Sequence, residues 1–491
     1  MHRSLVERIL FPLHEAALCR PTSALHRQLE RSQWWPAERR QNLRNEKLRR
    51  LIAHADANCS YWHDRLKQAG LRTRDFRTLD DLVRLPLMTR ADIDAHRERM
   101  RWTSQTGKRL VYRTSGTTDD NLDYYWDRRR QAWDIAARLR AHGWFGLGPG
   151  SYETYVWPIE ERVGVRGHLQ HALRSVRDWC CNDQMVDAAS VGRTGDGQAF
   201  IAALDARPPD CIFGYPSAPS RLCQGIRRDG RILSLPNLRC ILVTGEPLYA
   251  SQRRLIEDTL NVRVFGEYGV QEAGLLARQC PHGRWHETSE SIIIEVLTHG
   301  RPTEPGQLGE VVVTQLESWA MPIIRYCTGD IAVAIADTQC TCGRTLRVVS
   351  EVLGRQSDFL INASPAAMGS TSNGQASLVI PAAGSGGAGV EAGRLGSNAR
   401  SVTAAQVVEQ LDDLVAPESY CVRQNVEGHT SLAVLDSAGL DSENLRRASH
   451  RIRSLLVTDS TVRASIVPHW PIERSGKHRP VISAVPHPNL A

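Results

Sequence analysis

The sequence predicts an α/β protein: a large N-terminal part with parallel sheets and a β-rich subdomain, then a small α/β C-terminal domain. Three observations carry this. Short β-rich runs such as CIFGYPSA, LRCILVTGE and VRVFGEYGV alternate with helical segments such as SAPSRLCQGIRRDG and YASQRRLIEDTL, the pattern of strands joined by crossover helices. A later block, SESIIIEVLTH, QLGEVVVTQL and IAVAIAD, is strand after strand between Gly and Pro turns, the texture of a β-rich subdomain. A Gly-, Ala- and Ser-rich stretch then separates this block from a last segment containing the basic SGKHRP.

In chain order, residues 1–107 read as mainly helical. QNLRNEKLRRLIAHADANCSYWHDRLKQAG has apolar residues at helical spacing, and RTLDDLVRLPLMTRADIDAHRERM follows with a Pro-broken turn and a second helix. Residues 108–353 carry the alternating and β-rich runs. The stretch 362–401, with PAAGSGGAGVEAGRLGSN, is too poor in apolar side chains to order itself and is expected to be a mobile loop or insertion. Residues 402–491 read as a small α/β module.

At 491 residues, 41% hydrophobic and 23% charged, the chain has enough apolar surface for more than one core. No run of about eighteen apolar residues occurs, and MHRSLVERILFPLHEAALCR carries charges through its apolar stretch. Neither a membrane span nor a signal peptide is therefore expected, and the expected compartment is cytoplasmic. The net charge of +7 is spread along the chain and interleaved with Asp and Glu, which argues for solvated surface over a nucleic-acid site. Nearly all the positive charge is arginine; the lysines are Lys47, Lys67, Lys108 and Lys477. Arginine cannot replace a compact ammonium in a crowded site, which singles out each retained lysine.

The twelve cysteines are scattered, and reduced thiols are expected. One subset has metal-like spacing: Cys280-Pro-His-Gly-Arg-Trp-His286, then Cys340-Thr-Cys342. Two soft-ligand clusters on turns suit a tetrahedral zinc site of Cys280, His286, Cys340 and Cys342, with His282 as the alternative to His286. Two cysteine-bearing loops without metal are the other reading.

Four motifs bear chemistry. Thr114-Ser115-Gly116-Thr117-Thr118 follows a strand-like run; its hydroxyls and turn amides suit phosphate oxygens, or form an ordinary loop. In Tyr268-Gly269-Val-Gln-Glu272, a carboxylate beside a glycine turn suits Mg²⁺, or is an exposed acid at a helix start. Arg325-Tyr-Cys-Thr-Gly-Asp330 places an Asp at a turn, where it holds two ribose hydroxyls or caps the turn itself. Ser475-Gly-Lys477-His478-Arg479 presents a lysine on a glycine turn, able to bring a point charge onto a carboxylate and an α-phosphate.

Together with LPLMTRADI, FGYPSA, LVTGEPL, CGRT and LGRQSD, these motifs, in this order from about residue 40 to the end, resemble the adenylate-forming (AMP-binding) superfamily. Within it they are most similar to the branch of phenylacetate-CoA ligases and capsular-polysaccharide-biosynthesis-type proteins. The resemblance implies an adenylation domain, a hinge over 354–361 at Ser357 and Asp358, and a mobile C-terminal lid. It implies ATP on Thr114, Ser115, Gly116, Thr117 and Thr118, adenine beside Gly245 and Glu246, and Tyr268 and Gly269 near the purine. Glu272 then holds magnesium, Asp330 and Arg355 hold the ribose, Lys477 is the adenylation lysine, and a structural zinc occupies the Cys/His cluster. The implied reaction turns a small-molecule carboxylic acid into acyl-AMP by positioning and charge neutralisation, with coenzyme A as acceptor of the second step. Delivery to an amine, a sugar or a carrier protein is a second reading. A binding scaffold without catalysis is a third, raised by Asp119 and Asp120, which follow the hydroxyl-rich turn where the family has a glycine. Tyr155, Trp157, Phe213, Tyr215 and Trp144 are candidates for an acid pocket, or core.

Overall fold

The computed structural model describes residues 2–104, 110–113, 123–157, 175–188, 198–336, 338–362, 394–395, 399–425, 428–456, 462–467 and 477–485. Its centre is an eight-stranded sheet in the spatial order Val348–Val349, Trp285–Glu287, Gly274–Gln279, Val264–Val270, Cys240–Thr244, Cys211–Gly214, Glu153–Trp157, Asp183–Asp187. The last five run parallel and the first three antiparallel. The runs CIFG and CILVT are buried at every position, as strands covered on both faces must be.

The two faces of the parallel strands differ. On one, Ile212, Ile241, Val243 and Val264 pack against Leu222, Ile226 and Ile256 of the helices Ser217–Arg228 and Ala250–Leu260. On the other, Cys211, Phe213, Cys240, Leu242 and Phe265 form a smaller apolar layer. That second face looks across a cavity to the helix Arg128–Gly143, whose first turn is capped by Asp127 accepting from the Arg130 amide at 2.7 Å.

The β-rich block forms a five-stranded antiparallel sheet, ordered Arg301–Pro302, Ile292–Thr298, Leu308–Gln315, Tyr326–Val333, Val352–Arg355. The helices Ala37–Asn58 and Ser60–Gln68 stand where helical spacing placed them. RTLDDLVRLPLMTRADIDAHRERM splits at its proline into a 3₁₀ turn, Leu79–Arg84, and the helix Arg90–Met100. The C-terminal segment builds a four-stranded sheet, Val462–Val467, Thr430–Leu435, Tyr420–Gln424, Val481–Ser483. Helices Ala404–Leu411 and Ser442–Leu455 pack on it, and Tyr249 and Leu360 join its core. Of the low-complexity stretch, only Asn362, Arg394–Leu395 and Ala399–Ser401 fall within the described residues.

Buried charge ties the N-terminal helices to the sheets. Arg44 reaches Glu287 at 3.0 Å, Lys47 reaches Glu317 at 2.7 Å, and Arg140 holds both oxygens of Glu290 at 2.8 Å. Glu290 is fully buried and also accepts from Ser32 at 2.5 Å. Removing one partner of such a group leaves an uncompensated charge. Glu290→Ala is expected to cost about 3–5 kcal/mol, read as a lowered thermal midpoint. Glu46→Ala, which removes the exposed pair with Arg50, is expected to cost less than about 0.5 kcal/mol.

Candidate active site

The parallel strands end at a cleft of about 480 Å³ lined by Gly245, Glu246, Tyr268, Gly269, Glu272, Asp330, Arg355 and Lys477. These residues lie far apart in sequence, and the fold brings them onto one surface. Ligands in open α/β sheets bind at this edge, beyond the carboxyl ends of the strands.

One wall is a compact polar group. The Tyr268 hydroxyl donates to Asp330 Oδ2 at 2.8 Å, and Arg355 Nε lies 3.6 Å from Asp330 Oδ1. Asp330 and Arg355 are register partners on adjacent strands. The motif RYCTGD reads as a turn, yet Asp330 stands inside the strand Tyr326–Val333, with Gly329 before it at φ +73°. Burial pushes the Asp330 carboxyl up while Arg355 pulls it down, and Asp330 in turn raises the Arg355 guanidinium. Glu272 sits in the turn between Val264–Val270 and Gly274–Gln279, not at a helix start. It is buried, and one of its oxygens accepts from the Tyr326 hydroxyl at 3.0 Å. The turn Thr114, Ser115, Gly116, Thr117 and Thr118, with Asp119 and Asp120, lies outside the described residues.

The opposite wall is where the C-terminal segment docks. Gly245 has φ +78°, and a Cβ there would stand 2.8 Å from the Tyr215 ring and 3.3 Å from Lys477 Cε. Only glycine fits that approach. Lys477 Nζ lies 5.4 Å from the Tyr215 ring centroid. Glu246 holds the segment in place: its carboxylate accepts from the His478 amide at 2.7 Å and from the Ser217 amide and hydroxyl at 3.2 Å. Burial raises the Glu246 carboxyl against these donors. Arg479 Nε donates to Asp358 Oδ1 at 2.9 Å, and its Nη2 donates to the Ser357 hydroxyl at 2.6 Å. His478 Nε2 lies 3.0 Å from the Tyr420 carbonyl oxygen, and burial lowers its imidazole to about 4. Glu246, Asp358 and Arg479 work as a latch. Each stands in a stretch that the sequence singles out, but that they pair across the cleft is not written in composition or spacing.

A second cavity, of about 660 Å³, adjoins the cleft and shares Gly245, Gly269, Gln271 and Lys477 with it. Tyr155, Trp157, Phe213 and Tyr215 line it, as the pocket reading expects. Trp144 does not line it; its ring stacks edge-on against His286, 5.7 Å away. The unforeseen feature is polar: Glu153, Asp183 and His142 also line the cavity. Burial pushes the Glu153 carboxyl up to about 7 and the Asp183 carboxyl up to about 8.

Cys280, His286, Cys340 and Cys342 converge at the far edge of the central sheet, all four ligand atoms within 4.8 Å of one another. Cys280 and Cys340 sulfurs are 3.7 Å apart, and Cys342 Sγ lies 3.3 Å from His286 Nε2. Such separations suit a tetrahedral ion with bonds of about 2.0–2.3 Å. His286 Nδ1 lies 3.3 Å from the Leu346 carbonyl oxygen, which leaves Nε2 to face the sulfurs. His282 stands apart, exposed, against Thr341 at 3.0 Å.

No family model matches the chain. It is 26% identical over 338 residues to the phenylacetate-coenzyme A ligase of Thermus thermophilus, covering 66% of this chain and 72% of that protein. Over about two thirds of its length the chain is thus similar to phenylacetate-coenzyme A ligases. Protein CapK of Staphylococcus aureus is 20% identical over 323 residues, 65% of this chain and 68% of its own length. Among solved structures, a 2-hydroxyisobutyryl-CoA ligase in its postadenylation state superposes with a TM-score of 0.64 at 18% identity. The match covers 92% of this chain and 90% of that one, so the fold is that of the adenylate-forming coenzyme A ligases.

If the latch positions Lys477, loosening it should free the segment. In an Arg479→Ala, Glu246→Gln double variant, amide hydrogen exchange over 477–485 is expected to accelerate at least tenfold, roughly the loss of a charged hydrogen bond. Unchanged exchange would show that the module's core alone holds the segment.

Proposed function

We propose that this protein adenylates a carboxylic acid with ATP and then passes the acyl group to coenzyme A. The observation that carries the reading is the position of Lys477, latched through Glu246 at the junction of a nucleotide-sized cleft and an acid-sized cavity. An acid in the second cavity presents its carboxylate beside the α-phosphate of ATP in the first. A carboxylate oxygen attacks the α-phosphorus and the bond to pyrophosphate breaks. Pyrophosphate leaves with the electron pair, and the Lys477 ammonium neutralises charge building on the α-phosphate. No side chain has to accept a proton, since the nucleophile is already an anion.

The remaining roles follow from the walls. Asp330 accepts from both ribose hydroxyls, a reading supported by Arg355 and the Tyr268 hydroxyl fixing its carboxylate. Gly245, Gly269 and the aromatic face of Tyr268 offer a flat surface for the purine, while Glu246 bounds that side and fastens the lid. Thr114, Ser115, Gly116, Thr117 and Thr118, outside the described residues, take the role of donors to phosphate on the resemblance of their motif alone. Glu272, a buried carboxylate on the cleft wall, suits the magnesium of MgATP, whose role is to offset phosphate charge. The C-terminal module from about residue 402 acts as the lid, hinged at Ser357 and Asp358, and its rotation admits the thiol of coenzyme A. Three thiols and an imidazole at tetrahedral spacing fit a structural zinc at Cys280, His286, Cys340 and Cys342.

Pyrophosphate release from MgATP is expected across a panel of carboxylic acids, with AMP formation stimulated by coenzyme A. Lys477→Ala should lower acid-dependent release about 10²–10³-fold, and Asp330→Ala should raise the KM for ATP by about tenfold or more. Acid-independent release, or full activity without Lys477, would overturn the reading. Elemental analysis is expected to find about one zinc per chain in the purified protein, lost in Cys280→Ser, Cys342→Ser, whose thermal midpoint should fall. A metal-free wild type of equal stability would exclude the zinc.

A further inference from the structure

The acid cavity does not end on an apolar wall. Glu153, Tyr155 and Trp157 alternate along one strand and so share a face. Trp157 stands at the mouth, 4.7 Å from the Tyr215 ring, and Glu153 lies four residues deeper, about 13 Å along the strand. Glu153 is the register partner of Asp183 on the neighbouring parallel strand, so two carboxylates lie side by side at the inner end.

Among the described residues the nearby cations are already shared: Arg278 pairs with Glu267, and its charge pulls the Glu153 carboxyl down less than burial pushes it up. Arg138 bridges Asp134 and Glu267, and Arg20 is engaged by Glu15. Arg177 reaches Asp183 at 3.4 Å but also pairs with Asp178. Glu153, 6% exposed, accepts one hydrogen bond, from the Tyr155 hydroxyl at 2.8 Å. The one basic side chain within salt-bridge range of it, among the described residues, is His142, with Nε2 at 3.7 Å. Burial drives the His142 imidazole well below its ordinary value and so keeps it neutral. Among the described residues that Nε2 has no hydrogen-bond partner, although the residue is only 6% exposed and lines the cavity. A buried polar atom left unmade costs free energy, and an alkyl or aryl end placed against this floor would leave Glu153 and His142 unsatisfied and drier still.

We propose that the acid this enzyme activates carries an amino group at the end remote from its carboxyl, and that Glu153 and Asp183 bind that ammonium beside His142. The proposal rests on the adenylation reading for the direction in which the acid lies. A site built to satisfy a substrate donor rejects the analogue lacking it more strongly than an apolar pocket rejects an extra methylene. Selectivity therefore resides at the floor, and Tyr155, Trp157 and Phe213 serve as the walls along which the apolar stem runs.

The test uses the full-length protein and linear acids of about eight to twelve chain atoms, which bracket the span. Each length is supplied as the plain acid, the ω-hydroxy acid and the ω-amino acid. Two measurements are made: kcat/KM for pyrophosphate release, and binding by calorimetry without ATP. The best ω-amino acid is expected to exceed its plain counterpart by about tenfold or more in both. In Glu153→Gln, Asp183→Asn, a nearly isosteric pair, that ratio should fall to about threefold or less through weaker binding of the amino acid. Plain acids equal to or better than amino acids, a ratio unmoved by the variants, or equal use of the hydroxy acids would overturn the ammonium site. Release from plain acids alone would sink this proposal and leave adenylation standing. Absence of release from every acid would sink adenylation, and the calorimetric ratio would then decide the ammonium site by itself.

Discussion

The turn that follows the strand Cys240–Thr244 is the constraint on which the site depends. At Gly245 the backbone must leave the sheet in a left-handed conformation, φ +78°, between the Tyr215 ring and the Lys477 side chain. A side chain there would displace one or the other. At the next position, Glu246 closes the gap between the large sheet and the C-terminal segment by accepting from Ser217 on one side and His478 on the other. Two adjacent residues thus set the distance between the body of the protein and its lysine. An ordinary side chain at the first, or a carboxylate missing at the second, would part them.

From this turn the two cavities divide along the faces of the same sheet. The face toward Ser217–Arg228 and Ala250–Leu260 carries the larger apolar cluster, and its burial supplies cohesion. The opposite face is mixed, because it lines a cavity. There Phe213 and Leu242 carry the packing, and charged groups such as Arg138 and Glu267 are tolerated because they are paired. Among the described residues Glu153 is less closely paired, with His142 at 3.7 Å, and burial raises its carboxyl to about 7.

What was legible in the sequence follows from range. The strands CIFG and CILVT and the helices Ala37–Asn58 and Ala250–Leu260 are written in local periodicity, and the motif residues Tyr268, Glu272, Asp330 and Lys477 in short local patterns. All four line one cleft. The Glu246–His478 and Arg479–Asp358 contacts were not legible because their partners lie more than a hundred residues apart. Strand alternation alone cannot tell that Glu153 faces a cavity, since an acidic residue opening a strand reads as its exposed end. Trp144 shows the converse. An aromatic residue just beyond a helix looked like a pocket wall, but the helix turns it toward His286, so it serves the Cys/His cluster instead.

That cluster, although remote from the lysine, is coupled to the cleft by packing. His286 lies on the strand Trp285–Glu287, an outer element of the central sheet. Its neighbour Trp285 reaches across to Gly266, so closely that a Cβ on Gly266 would meet the indole at 2.4 Å. Gly266 precedes Glu267 and Tyr268, and Trp285 is itself part of the cleft lining. On the other side of His286, Glu287 anchors Arg44 of the long N-terminal helix. Fixing His286 therefore fixes, through its two chain neighbours, both the floor under the Tyr268 wall of the cleft and the attachment of the N-terminal helices. Because indole and glycine interlock with no spare room, displacement of the strand would be transmitted to Tyr268 and not absorbed. A staple at the sheet's edge, far from any reacting atom, is thereby part of how the cleft keeps its shape.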